Sequence, residues 1–247
     1  MSRFCLFCPN PVDSAEHLWS DWILEDLKLA TSVRITIGKS ESTWVDDPEI
    51  KIKCVCSRCN NGWMSKLEEA NQLQIHAMIN DDPCGLGKRD QNKLVFWAIL
   101  KAMVVDSVNP NRSLFYTQDE RIGLKNSSEI PSRTLVWLGR YHRKGFHAGG
   151  TDIWGEIDKV PKAAHGCVTT FIMGHLVLQT FTLHVPTELR GQNVNIGCKM
   201  GDWRTNLLDI WPTTNSLRWP PNLTFTSSGP AGIATVIGRW RIGEDVG

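Results

Sequence analysis

Two short cysteine pairs constrain this chain more than anything else in it: Cys5-x2-Cys8 in FCLFCPN near the N-terminus, and Cys56-x2-Cys59 in CVCSRCNNGW. Each pair supplies half of a tetrahedral metal site, and together they offer four thiolates to one zinc ion (Zn2+). Closing that site would turn all the chain between Cys8 and Cys56 into a loop anchored at both ends. Cys54 shares a strand face with Cys56, but the two-residue gap selects Cys56 with Cys59 and leaves Cys54 to the core. Cys84, Cys167 and Cys198 lack partner spacing and read as structural. No basic-then-apolar leader and no apolar run of about 20 residues is present, so a cytoplasmic protein with no membrane contact is expected. In a reducing compartment, cysteines in this spacing favour zinc over disulfides.

The local patterns predict an α+β chain. Ser20 reads as the N-cap of a short helix ending near Ala30, with Ile23, Leu24 and Leu27 on one face. VRITIG (33–38) and EIKIKCV (49–55) alternate with a period of two and are expected to pair as a hairpin. A helix is expected from about Trp63 to Asn80. DDPCGLGKRD (81–90) reads as a linker between an N-terminal module, 1–80, and a Trp-rich domain, 91–247. That second domain opens with the strongly apolar helix QNKLVFWAILKAMVVDSV, with Leu94, Trp97, Ala98 and Lys101 through Val105, expected to be its central helix. It continues with the strand signals RTLVWLG, CVTTFIM and HLVLQTFTLH. Trp211-Pro212 and Trp219-Pro220 cannot continue a helix and are expected to pin an extended tail to the core.

Net charge is +1 overall, but it is not evenly spread. Residues 1–78 carry 8 Lys/Arg against 11 Asp/Glu, net −3, and residues 79–150 carry 11 against 7, net +4. A strong basic footprint for nucleic acid is therefore absent, and the mild excess falls in the middle. There GRYHRKGFH (139–147) interleaves Arg140, Arg143 and Lys144 with aromatic rings, a composition suited either to phosphate and base contact or to a solvated hairpin end. The 11 tryptophans indicate either a core built around aromatic wedges or several stacking platforms.

CLFCPN…AEHLW and CSRCNNGWMSKLE resemble the HNH endonucleases, in a Trp-rich branch that occurs among bacterial and phage proteins. In that family a ββα-metal motif is commonly braced by two zinc-binding CxxC claws, an acidic residue and His follow the first claw, and Asn or His follows the second. The resemblance covers roughly residues 1–78. It implies an N-terminal ββα-metal (HNH-like) zinc module, with His17 as general base, Glu16 as a ligand of a catalytic Mg2+ or Mn2+, and Asn60 or Asn61 as the other metal-facing group. It implies DNA as the substrate, with RNA as an alternative, and it leaves the C-terminal domain for a homodimer or protein contact. Glu16 stands where the family usually has Asp, and PEIKIK lacks the family's second-strand Asn. These departures keep open a zinc module that binds nucleic acid or protein without cleaving. Along the helix, Glu68 and His76 lie too far from its start to share a metal there, and both read as face residues outside the site.

Overall fold

The computed structural model describes residues 4–27, 33–35, 43–45, 49–108, 113–157, 160–189, 193–196, 207–213, 215–225 and 239–241. It is a mixed α+β fold. The first claw leads into strand β1 (Ser14–His17) and helix α1 (Asp21–Leu27), then β2 (Val33–Ile35), β3 (Thr43–Val45) and β4 (Lys51–Val55). Ser20 does sit at the start of α1, its carbonyl accepting from the Ile23 and Leu24 N–H groups. Residues 28–30, where that helix was expected to end, lie outside the described residues.

Among the described residues, the expected hairpin between VRITIG and EIKIKCV does not form. β4 pairs antiparallel with β1, and β2 pairs with β3. Period-two alternation says which face of a strand is buried but not which strand lies beside it. The partner is chosen here by the claws: β1 leaves the first and β4 enters the second, so bringing the claws together lays these two edges side by side.

The helix expected over 63–80 begins earlier and is broken. Its turns run from α2 (Ser57–Cys59) through a wide π turn (Asn60–Met64) into α3 (Ser65–Glu69), and α4 (Gln72–Asn80) follows after a break. Asn71 sits in the break, almost fully buried, with its amide donating to the carbonyls of Leu67 (2.7 Å) and Lys93 (3.1 Å). Asn in this role competes with helix continuation by capturing backbone carbonyls itself.

The stretch 81–90, expected to be a linker, holds strand β5 (Cys84–Leu86) and the first turn of helix α5 (Lys88–Asp106). Helix α6 (Gln118–Ser127) follows, its start fixed by a capping box: Thr117 Oγ1 accepts from the Glu120 N–H and Glu120 Oε2 accepts from the Thr117 N–H. The strand signals then resolve into one long hairpin, β6 (Thr134–Ile157) and β7 (Val160–His184). CVTTFIM and HLVLQTFTLH are thus one strand, not two. Short β8 (Asn193–Ile196), β9 (Leu207–Trp211) and β11 (Arg239–Arg241) complete a five-stranded sheet, and β10 (Leu217–Trp219) pairs with β5.

β7 is buried almost without interruption from Ala164 to Leu183, because α4 and α5 cover one side and further apolar clusters cover the other. A strand buried on both faces reads as a continuous apolar run instead of an alternating one. The main apolar cluster extends from Cys5 and Phe7 through Trp19, Val55, Met64, Trp97 and Phe171 to Trp219. Trp219 is buried and Trp211 packs against the same cluster, so both Trp-Pro steps are held against the core as expected. No helix among the described residues is long and apolar enough to cross a membrane.

The basic segment GRYHRKGFH is not a hairpin end. Arg140 pairs with Leu176 and Gly145 with Gly174, so Tyr141 to Lys144 bulge out opposite the single residue His175. Gly174 has φ +57, and a Cβ there would lie 2.3 Å from the Ile79 carbonyl oxygen, so only glycine lets β7 come this close to the end of α4. Next to that approach, Arg140 makes a two-pronged ion pair with Asp81, the left-handed C-cap of α4. The Arg140 guanidinium holds the Asp81 carboxyl below its usual 3.8. A depressed carboxylate pKa stabilises the fold at pH values above the unfolded pKa, and that contribution is lost as pH falls through the folded one. Asp81→Asn keeps the left-handed backbone accessible and removes only the charge. It is expected to cost roughly 0.5–1 kcal/mol at neutral pH, the pair being partly exposed. The gap to the parent should shrink as thermal unfolding is repeated at pH values falling below 3.8.

Candidate functional site

The four thiols predicted to converge do so. One Sγ from each of Cys5, Cys8, Cys56 and Cys59 lies within 4.8 Å of the others, and all four residues are buried. Cys8 Sγ is 3.5 Å from Cys56 Sγ and 3.6 Å from Cys59 Sγ. Four sulfurs at zinc–thiolate distance in a tetrahedron stand about 3.8 Å apart, so the cluster has the size and donor set of a structural zinc site.

Local hydrogen bonds shape both claws. The Phe7 N–H donates to Cys5 Sγ (3.4 Å) and the Cys5 N–H to the Asn10 carbonyl (2.8 Å), while the Cys59 and Asn60 N–H groups turn back to the Cys56 carbonyl. Phe7 meets Trp63 edge-on at 5.2 Å and covers the cluster. From outside, Arg121 on α6 donates to the Leu6 carbonyl at 2.9 Å. Among the four thiols, burial raises Cys5 and pushes Cys59 up to about 12, whereas at Cys56 the Cys59 N–H and the surrounding thiols outweigh burial and bring it to about 7. Cys54 stands outside this group, and burial pushes its thiol up to about 12, which fits its reading as a core residue.

The claws carry two pairs of site residues toward one another. Glu16, His17, Asn60 and Asn61 line a single cleft of about 340 Å³, together with Ser20, Trp22, Met64, Ser65, Glu68, Glu69 and Gln72. The β1–β4 ladder slips between Ser14 and Glu16, and Asn60 fills the gap by donating to Ser14 Oγ and to the Ala15 carbonyl, both at 2.9 Å. Two acceptors on one amide nitrogen fix which way the Asn60 side chain faces and leave its Oδ1 for another partner. Asp13 caps the helical stretch from across the loop, accepting from the Ser57 N–H at 2.5 Å. His17 Nε2 lies 3.2 Å from Glu49 Oε1, which Lys51 also approaches at 2.6 Å. Asp21 stands within 4.8 Å of that His17–Glu49 pair.

Sequence reasoning passed over two groups that meet at this cleft. Lys101, entirely buried on α5, donates to Glu16 Oε1 (2.6 Å) and to the His17 carbonyl (2.7 Å), and stands 3.5 Å from Glu68 Oε2. Burial works against its ammonium, but Glu16 and Glu68 more than offset this and raise its pKa above the usual value. Glu68, expected to be a solvated face charge, instead accepts from Trp22 Nε1 (3.2 Å) and faces Lys101. Distance along the helix excluded it, yet α3 lies directly across the cleft from β1. Lys101 had a signal of its own, because a lysine on the buried stripe of an apolar helix needs a buried anion.

The remaining candidates lie elsewhere. His76 pairs with Asp26 at 2.6 Å on the helix surface, as a face residue should. Arg140, Arg143 and Lys144 do not line the cleft: Arg140 is held by Asp81, Arg143 rests beside the Tyr141 hydroxyl at 3.3 Å, and Lys144 reaches Asn80 Oδ1 at 3.4 Å. His175 and His184 make structural contacts, to the Tyr141 carbonyl and Glu120 respectively. Cys167 is buried and Cys84 half-buried, and Cys198 lies outside the described residues.

Comparison with known protein families, curated proteins and solved structures finds no match to this chain.

If the thiols hold one metal, elemental analysis of the purified chain should find close to one zinc per molecule. Cys59→Ser should lose it and unfold the claws and the helical stretch that continues from the second, since structural zinc supplies about 10 kcal/mol or more of folding free energy in small modules. Cys54→Ser should retain full zinc content.

Proposed function

We propose that this protein is a metal-dependent endonuclease of HNH type that hydrolyses phosphodiester bonds in DNA, with its reacting groups in the cleft between β1 and the 57–69 helical stretch. The observation that carries this reading is the meeting of Glu16 and His17 with Asn60 and Asn61 in one cleft. Two chain segments joined by a four-thiol cluster supply the four residues. The residue types suit the chemistry. His17 takes a proton from the attacking water as general base, the role imidazoles most often fill in such hydrolyses. Glu49 at Nε2 fixes the ring and leaves Nδ1 to act as the base.

The lining also suits a hard divalent ion. Glu16, Glu68 and Glu69 face the cleft, with the Lys101 ammonium behind Glu16, and Ser20 Oγ, on a residue only 7% exposed, has no partner among the described residues. Glu16 and the amide oxygens of Asn60 and Asn61 would hold Mg2+ or Mn2+, oxygen donors of the kind such ions take. When bound, the ion supplies charge neutralisation to the phosphate in flight and to the leaving oxygen. An acidic cleft repels a polyanion without such a cation, so cleavage should disappear in EDTA. The exposed cations Arg143 and Lys144 remain candidates for backbone contact away from the cleft; Arg140 is already committed to Asp81.

A second reading draws on Lys101. Its ion pair occupies Glu16 Oε1, which accords with a zinc module that binds nucleic acid or protein and cuts nothing.

The two readings part on purified protein incubated with duplex DNA, single-stranded DNA and RNA in Mg2+, Mn2+ or EDTA. The nuclease reading expects an EDTA-sensitive product that His17→Ala reduces at least about 100-fold. Zinc content, melting temperature and DNA binding should stay near those of the parent. Glu16→Ala should instead raise the divalent-ion concentration needed. Cleavage that survives His17→Ala unchanged would assign the activity elsewhere and favour the binding module.

A further inference from the structure

We infer that Lys101 is a built-in cation of the cleft: its ammonium fills a three-oxygen cation position between β1 and α3, and so acts as the positioning residue for Glu16. The three oxygens are Glu16 Oε1 at 2.6 Å, the His17 carbonyl at 2.7 Å and Glu68 Oε2 at 3.5 Å. They come from two elements, and Lys101 reaches them from a third, α5, with no exposed surface of its own. A carboxylate, a second carboxylate and a backbone carbonyl converging on one point form the donor set of a hard metal ion. In this chain the point is taken by nitrogen. The consequence for Glu16 is direct: one oxygen is held, and only Oε2 is without a partner among the described residues.

Stability alone gives little reason for such an arrangement. Well-packed apolar residues in place of a buried ion pair are often neutral or stabilising, whereas a single unpaired member is costly. Lys101 is therefore required because Glu16 and Glu68 are there, and Glu16 lines a cleft that also presents a buried Ser20 hydroxyl with no partner among the described residues. The inference deepens the reading of this cleft as a divalent-ion site and rests on it for the role of Glu16, but the occupancy of the three-oxygen position by Lys101 is separately testable.

The test uses the zinc-loaded full chain and Mn2+ alone as probe, with free Mn2+ followed by electron paramagnetic resonance and melting temperature recorded with and without the ion. In Lys101→Met, Mn2+ should bind about tenfold more tightly than in the parent, or at one additional site, and should raise the melting temperature clearly more. Adding Glu16→Gln should abolish that gain. A merely structural lysine would lose stability on removal without gaining affinity for a metal. If Lys101→Met folds only poorly, Lys101→Met/Glu16→Gln/Glu68→Gln, which removes the carboxylate charge as well, should fold. Refolding of the single variant should then be rescued by Mn2+. A folded, zinc-replete Lys101→Met with parental Mn2+ affinity and stoichiometry overturns the proposal, as does failure of Mn2+ to rescue it while the triple variant folds. Mn2+ binding that appears only in Lys101→Met supports Lys101 as the resident cation and counts against the metal-dependent nuclease, so the two ideas fail separately.

Discussion

The convergence of four thiols is the constraint on which the rest of the structure depends. Cys5 and Cys8 lie on one side of a long excursion of the chain, Cys56 and Cys59 on the other, and their meeting fixes both ends of that excursion at once. Structural zinc in a small module contributes about 10 kcal/mol or more. That is comparable to the entire net stability of an ordinary domain, about 5–15 kcal/mol. A metal bond of that size would be enough to determine topology. The meeting of the claws sets β1 beside β4, places the 57–64 turns over β1, and lets Asn60 close the slip in the ladder at Ala15.

A second constraint joins the rest of the chain to this module. Taking an ammonium and a carboxylate out of water costs several kcal/mol each unless they meet with good geometry. Lys101 and Glu16 meet at 2.6 Å with the His17 carbonyl as a further acceptor. The lysine arrives from α5, the helix that packs against β6, β7 and β9. The large hairpin sheet therefore does more than enlarge the core: through α5 it determines how Glu16 is held. Arg121 on α6 adds another such tie at the Leu6 carbonyl inside the first claw.

What could be read in the sequence follows from how local each signal was. The claws depend on spacing alone, and spacing selected Cys56 over Cys54 correctly. Placing Asn60 and Asn61 opposite Glu16 and His17 required only that the claws meet. The hairpin 33–38 with 49–55 failed because alternation carries no information about partners, and β4 pairs instead with β1, which the meeting of the two claws brings alongside it. Helix α6 escaped notice although Thr117-x-x-Glu120 announces its start, since the surrounding strand signals are stronger in composition than a two-residue cap. CVTTFIM and HLVLQTFTLH read as two strand signals, whereas Gly174 between them is a close approach inside one strand. Glu68 was excluded by a distance measured along its own helix, which neglects that a cleft has two walls.

The central claim is that the thiol cluster, and not the surrounding apolar core, holds the two walls of the cleft together. Hydrogen–deuterium exchange of the full chain, compared with and without zinc, tests it most directly. The account predicts that stripping zinc strips protection from residues 14–17 and 51–64 while β6 and β7 keep theirs. If β1 and the 57–64 turns remain as protected without zinc as with it, the core alone builds the cleft and the thiol cluster is incidental to it.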